Sequence, residues 1–201
     1  MRRVLVAVLV RKGGGMTTFD TEAGIVVRWA REAWERDGAY AIRRDVFCEE
    51  QGIFEHDDRD AIDDHAQLLV AVLHAPNAAP RVVGTVRIHR DANSATDLAT
   101  NPASTWYGSR LAVSADFRRH GRIGATLIRL AVSSAHALGC TTFLAHVQAQ
   151  NAPLFRRLHW RTIEEEILFG RAHHVMEADL AQYPPCAAPY EGFAIDQRRA
   201  A

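Results

Sequence analysis

Neither a disulfide framework nor a zinc site is open to this chain, because its three cysteines, Cys48, Cys140 and Cys186, are far apart, odd in number and without Cys-x-x-Cys spacing. A reducing cytoplasm suits such usage. Charge of one sign is equally missing: 24 basic residues balance 24 acidic ones over 201 positions. No global footprint for nucleic acid or an anionic membrane follows, and any phosphate must be met by a local cluster. The Gly-x-Gly-x-x-Gly fingerprint of dinucleotide folds and the Gly-x-x-x-x-Gly-Lys-Ser/Thr of nucleotide-phosphate loops are both absent, as is any internal repeat. What is present is a composition 48% apolar and 24% charged, that of one globular domain able to bury a substantial core.

The N-terminal run Val4 to Val10 imitates a signal peptide but meets Arg11 and Lys12 instead of a cleavage site. Residues 1–15 are expected to be a disordered leader, with a start at Met16 or an edge strand over Val4 to Val10 as alternatives. A domain is expected over 16–182 and an irregular, Pro-rich tail over 183–201. Within the domain, apolar runs and turn residues predict strands at Gly24 to Trp29, Gln67 to Leu73, Arg81 to His89, Trp106 to Ser114, Thr142 to Gln148, Thr162 to Phe169 and His173 to Leu180. Helical spacing predicts helices over Arg31 to Glu50, divided at Gly38, over Ile123 to Leu138, stopped by Gly139, and over Pro153 to His159. The acidic stretch Glu55 to Asp64 reads as a solvated loop. It lacks the spacing and glycine of an EF-hand, and adjacent His173 and His174 on a strand point to opposite faces, so no metal is expected.

The most informative segment is Val113-Ser-Ala-Asp-Phe-Arg118-Arg119-His120-Gly121-Arg122-Ile123-Gly124-Ala125, where a strand ends in a basic, glycine-bearing turn that opens a long helix. Free amide hydrogens at a helix N-terminus, close backbone approach at glycine and arginine donors together hold a diphosphate.

This segment resembles motif A of the GNAT superfamily of acyl-CoA N-acetyltransferases, Gln/Arg-x-x-Gly-x-Gly/Ala. Arg118-x-x-Gly121 matches its first half and places Ile123 last; the register from Arg119 ends on Gly124 and has Arg122 at the inner glycine. Upstream, Val46-Phe47-Cys48-Glu49-Glu50-Gln51 is similar to the Val-Phe-x-x-Glu-Gln signature of a smaller GNAT branch, itself distantly similar to acyl-homoserine-lactone synthases. Gly84-Thr85-Val86-Arg87, Gln148-Ala149-Gln150, Leu154-Phe155 and His173-His174-Val175-Met176 follow in that branch's order.

The resemblance implies an α/β (α+β) fold, a mixed and mostly antiparallel sheet of about six or seven strands flanked by helices. In such a fold the fourth and fifth strands splay at a bulge, and the pantetheine arm pairs with the exposed edge, here Leu111, Ala112 and Val113. Arg118, Arg119, His120, Gly121, Arg122, Ile123, Gly124 and Ala125 would hold the diphosphate. The implied activity is direct transfer of an acetyl group from acetyl-CoA to the amine of a small molecule. An acyl-homoserine-lactone-like synthase with a longer donor, and a catalytically silent CoA-binding module, are the alternatives. No nucleic acid or membrane partner is expected, and the oligomeric state is open, with a homodimer among the options.

Acyl transfer to an amine needs a proton acceptor, and Glu50 is the first candidate, with an ion pair to an arginine as its other reading. His173 is the second catalytic candidate. Phe155 stands where many relatives place a tyrosine, so the departing thiolate would leave unassisted or take a proton from Tyr107 or His173. Arg87 would grip a carboxylate on the acceptor or pair with the acidic loop, and Gln148 would contact substrate. Cys48 is expected to be an inert thiol.

Overall fold

The computed structural model describes residues 9–12, 15–18, 24–91, 104–118 and 122–195. Ten strands and three α-helices follow one another along the described chain: β1 (Leu9–Lys12), β2 (Gly15–Thr18), β3 (Gly24–Trp29), α1 (Ala33–Arg44), β4 (Gln67–His74), β5 (Arg81–Arg90), β6 (Thr105–Val113), α2 (Arg122–Ala137), β7 (Thr142–Gln148), α3 (Ala152–Arg157), β8 (Trp160–Leu168), β9 (Arg171–Ala178) and β10 (Phe193–Ile195). Eight of the strands form one sheet in the order β10-β3-β4-β5-β6-β7-β9-β8. Only the β6–β7 pair is parallel; the rest are antiparallel. This is the mixed, mostly antiparallel sheet expected from the resemblance, with one strand more.

The extra strand corrects the reading of the tail. Phe193–Ile195 pairs antiparallel with Val27, Val26 and Ile25 of β3, and Tyr183, where the irregular tail was to begin, is buried. Tyr183 accepts a hydrogen bond from Trp160 Nε1 at 2.9 Å and its carbonyl meets His136 Nδ1 at 2.7 Å. The tail is thus tied to β8 and α2. Near the N-terminus, β1 and β2 form a two-stranded antiparallel sheet, with Leu9 opposite Thr18 and Lys12 opposite Gly15, where a disordered leader was expected. Residues 4–8 lie outside the described residues.

The helix Arg31 to Glu50 does not break at Gly38. A side chain there would come within 2.8 Å of Val82 Cγ2, so the glycine lets α1 lie close against β5. The helix instead changes winding at its C-terminal end: Asp45–Glu50 forms a π-helical turn. That turn directs Val46 and Phe47 inward onto Ile42 and Ala112. Helix α2 lies on the opposite face of the sheet from α1 and buries Leu127, Leu130 and Val132 completely among Val27, Leu69, Val83 and Phe143. Each such side chain contributes about 1.5–3 kcal/mol. Gly84 permits the close approach, since a Cβ there would fall 2.9 Å from Ile123 Cγ2. The helix ends at Gly139, whose φ of +85° is one that L side chains rarely adopt. Among the described residues no helix is long and apolar enough to cross a membrane.

Candidate active site

Two adjacent strands part company at the centre of the sheet. Thr105–Gly108 of β6 pair with Thr142–Ala145 of β7, and the pairing stops there. Beyond it, Ser109 to Val113 stay with β5 while His146 to Gln148 stay with β9. A bulge in β6 drives the separation: Arg110 and Leu111 stand opposite Val86 alone, and Arg110 takes a φ of +56°.

The expected edge is therefore present, with a refinement. Ser114 N donates to Val83 O at 3.0 Å, so alternation turns the backbone of Ala112 toward β5 and that of Val113 toward the gap. The Ala112 side chain is buried against Ile42, Val46 and Phe47, and Leu111 lines the gap. Val113 O is taken by Arg118 Nε at 2.7 Å.

The N-terminus of α2 lies just past this edge. Its first turn comprises Arg122, Ile123, Gly124 and Ala125, and the amide hydrogens of a first turn point outward along the helix axis. Apart from its chain neighbours and its own helix backbone, no described atom lies within 4 Å of where a Gly124 Cβ would be, so space remains there. Arg119, His120 and Gly121 lie outside the described residues.

A cavity of about 500 Å³ occupies the gap and passes through the sheet. On the α2 side its walls are Ile128, Ala131, Phe143, Phe155 and Trp160, an apolar end. Phe155 packs edge-on against Trp160 with ring centroids 5.0 Å apart. On the other side Arg87, His89, Tyr107, Ser109, His146, Gln148 and His173 bring polar groups into the lining, among Ile53, Phe54, Ile62 and Phe169. Three contacts close the mouth: Phe54 meets Phe169 at 5.3 Å, Arg171 Nη2 donates to Gln51 O at 2.6 Å, and Gln148 Nε2 donates to Gln51 Oε1 at 2.9 Å. They tie the loop after α1 to the β8–β9 hairpin and to the end of β7. Phe54 and Phe169 carried no signal in the sequence, being distant and unpatterned.

The structure redistributes the expected roles. Glu50 forms a two-pronged ion pair with Arg118, at 2.6 and 2.7 Å, and does not line the cavity. The Arg118 guanidinium holds its carboxyl below the ordinary carboxylate range, which makes it a poor proton acceptor. The ion-pair reading holds for Glu50. Arg87, fully buried, spends its guanidinium on Asp60, Asp63 and Ser109 Oγ, at 2.6 to 3.1 Å, so it supports the cavity wall without a free fork for a ligand.

The acidic loop is solvated only in part: Glu55, Asp57 and Asp64 are exposed, while Asp58 and Asp63 turn inward. Asp58 is buried between Arg43 and Arg110, each at 2.9 Å, and Asp63 lies 2.6 Å from Arg43. Three aspartates and three arginines from the loop, α1, β5 and β6 neutralise one another. Burial raises the proton affinity of Asp63, but hydrogen bonds and charge from Arg43 outweigh it, and the net shift is downward; Asp60 behaves likewise through Arg87. No cluster of three His, Cys, Asp or Glu that could hold a metal ion occurs among the described residues.

His173 is buried in the cavity wall, its Nδ1 2.9 Å from Arg171 O. Tyr107 lies stacked between His89 at 5.5 Å and His146 at 6.3 Å, and His146 Nδ1 is bonded to Glu166. Burial pushes the Tyr107 phenol up, so it stays protonated. His146 was overlooked in the sequence, although strict alternation along Thr142–Gln148 places it on the polar face. Cys48 and Cys140 lie outside the lining; burial raises both thiols, Cys140 to about 11, so neither is a ready nucleophile.

A sheet split at a bulge, a helix N-terminus beside the free edge and a half-apolar cavity in the gap define a GNAT-like acyltransferase. Residues 38–176 match the family model of FeeM, an N-acyl amino acid synthase, and the chain belongs to that family. An N-acetyltransferase structure from Lactobacillus plantarum superposes with a TM-score of 0.62 and 23% identity, over 78% of this chain and 98% of that one. FeeM itself, from uncultured soil microbes, gives 0.58 and 13% over 79% and 93%. TofI, crystallised with an inhibitor and MTA, gives 0.56 and 20% over the same shares. Identities this low show the shared fold alone. No curated protein sequence matches this one.

Proposed function

We propose that this protein passes a medium- or long-chain acyl group from a phosphopantetheine thioester to the amine of a small molecule, an amino acid by the description of its family. The observation that carries this reading is the apolar end of the cavity. The pantetheine arm would run along the Val113 edge from a diphosphate at the α2 N-terminus, and the acyl chain would continue between Ile128, Ala131, Phe143, Phe155 and Trp160. Acetyl-CoA, the donor implied by the sequence resemblance, would leave that depth unfilled, whereas each further methylene buried there adds about 0.8 kcal/mol. None of the three cysteines lines the cavity, which supports direct attack by the amine, and three free thiols suit a reducing cytoplasm.

The test is a thiol-release assay with acyl-CoA donors from acetyl to palmitoyl, and the same chains on an acyl carrier protein, over a panel of amino acids and other amines. The expected result is kcat/KM rising about tenfold for every two methylenes until the cavity is full. A preference for acetyl-CoA would overturn the chain-length assignment. Tight binding of all donors with no turnover on any acceptor would favour the silent CoA-binding module instead.

A further inference from the structure

We infer that His146, held in place by Glu166, takes the proton from the acceptor's ammonium at the apex of the parted strands; this rests on the acyl-transfer reading above. The location comes first. A thioester arm that starts at the α2 N-terminus and follows β6 from Val113 to Ser109 covers about 14 Å at the rise of an extended strand. It then reaches the point where β6 and β7 close up. Ala145 is the last β7 residue paired with β6, so His146 is the first residue beyond the apex. Its side chain lies on the polar face beside Tyr107 and lines the cavity.

Orientation comes second. Nδ1 is bonded to Glu166 Oε1, and an ionised carboxylate can only accept. The proton of the neutral ring therefore sits on Nδ1 and leaves Nε2 with its lone pair free to accept. Glu166 is a positioning residue: it belongs to β8, fixes the tautomer across β9 and does not line the cavity.

The other charges nearby are the cavity's Arg87, Arg110 and Asp60, paired with one another, and Glu164 on β8, in the same register row as His146. Val175, the β9 residue paired with His146, is buried and apolar. The titratable groups that face the ring or its neighbours are Tyr107 on β6, kept protonated by burial, His89 on β5 beyond it, whose proton affinity burial lowers, His173 on β9, engaged with Arg171 O, and Glu166. Of these, His146 alone is a histidine with a carboxylate behind it.

The proton balance closes. An ammonium acceptor gives one proton to Nε2, which passes it to solvent. The neutral nitrogen attacks the thioester carbon, the C–N bond forms, the C–S bond breaks, and the second proton of the attacking nitrogen goes to the departing sulfur. Amide and thiol are the products.

The test compares wild type with His146→Gln and Glu166→Gln, using decanoyl-CoA and two probe acceptors. One is a primary alkylamine, which arrives as an ammonium; the other is methoxyamine, which arrives neutral. His146→Gln is expected to lower kcat for the alkylamine by 10²–10⁴-fold, to cost methoxyamine less than tenfold, and to leave decanoyl-CoA affinity unchanged in calorimetry. Glu166→Gln is expected to show the same split between the two acceptors at smaller size, because the ring loses the acceptor that fixes its tautomer. Equal losses for both acceptors, or full alkylamine activity in His146→Gln, would overturn the assignment. A wild type that transfers to no amine at all would overturn the acyl-transfer reading along with it.

Discussion

Two arginine–carboxylate systems flank the cavity, and they differ in everything but charge. Arg43 and Asp58 are 0% exposed and belong to a closed set of six groups that joins α1, the acidic loop, β5 and β6. Arg118 and Glu50 are 38% and 47% exposed and join only the end of the first helix to the segment before α2. The core of the buried set, Arg43, Arg87, Asp58 and Asp63, cannot exchange partners without stranding a charge in the protein interior, so it acts as scaffold, with Asp60 at its wet rim. The exposed pair trades one solvated partner for another at little cost, which suits a residue at the entrance of an anion site.

Asp58→Asn should break this contrast most severely. It leaves Arg43 and Arg110 short of a counter-charge in a dry site and should lower unfolding stability by about 3–5 kcal/mol in a denaturant titration. The same set makes the fold acid-sensitive. Asp63 and Asp60 have folded-state proton affinities below those of the open chain, so their stabilisation is present above the ordinary carboxylate range and is lost as the pH falls through it. Stability should therefore be level near neutrality and decline below about pH 4. A midpoint that stays constant down to pH 2 would contradict the cluster.

Gly124→Asp sharpens the other side of the comparison. A carboxylate in the first turn of α2 is compatible with the helix, so stability should hold, while decanoyl-CoA affinity should fall at least a hundredfold through repulsion of the diphosphate. Unchanged affinity would place the anion elsewhere. The smallest effect belongs to Glu50→Gln. Loss of an exposed pair should change stability by less than about 1 kcal/mol and, by freeing Arg118, tighten donor binding a few-fold at low salt, the gain fading as salt rises. A stability loss comparable to that of Asp58→Asn would erase the distinction.

What could be read from the sequence follows the same division between local and distant. The strands of the central sheet and the helix after the basic turn announce themselves by alternation, by helical spacing and by Gly139, and the order of elements points to the GNAT arrangement. The acidic loop misleads because Asp57, Asp58, Asp60, Asp63 and Asp64 crowd together in sequence while Arg43, Arg87 and Arg110 arrive from three separate elements. Single-sign charge in a short stretch looks solvated until the tertiary fold supplies the opposite sign. His146 is hidden for a similar reason, since its partner Glu166 lies two strands away across β9. β10 is missed because three residues flanked by glycine and charge give too short a pattern to register. Gly38 is misjudged in the opposite sense: intrinsic propensity marks it as a break, whereas the packing of α1 against Val82 requires the missing side chain.

The docking of Phe193–Ile195 on β3 bears on how the molecule is completed during synthesis. Gly192 turns the chain onto that strand with a φ of +68°, and any Cβ there would fall 1.9 Å from Val27 O, so no other residue admits this turn. Until it is made, Ile25, Val26 and Val27 offer unpaired backbone to neighbouring polypeptides, an invitation to intermolecular strand addition. A newborn chain is accordingly most vulnerable to aggregation at β3 in the interval before Phe193–Ile195 reaches it.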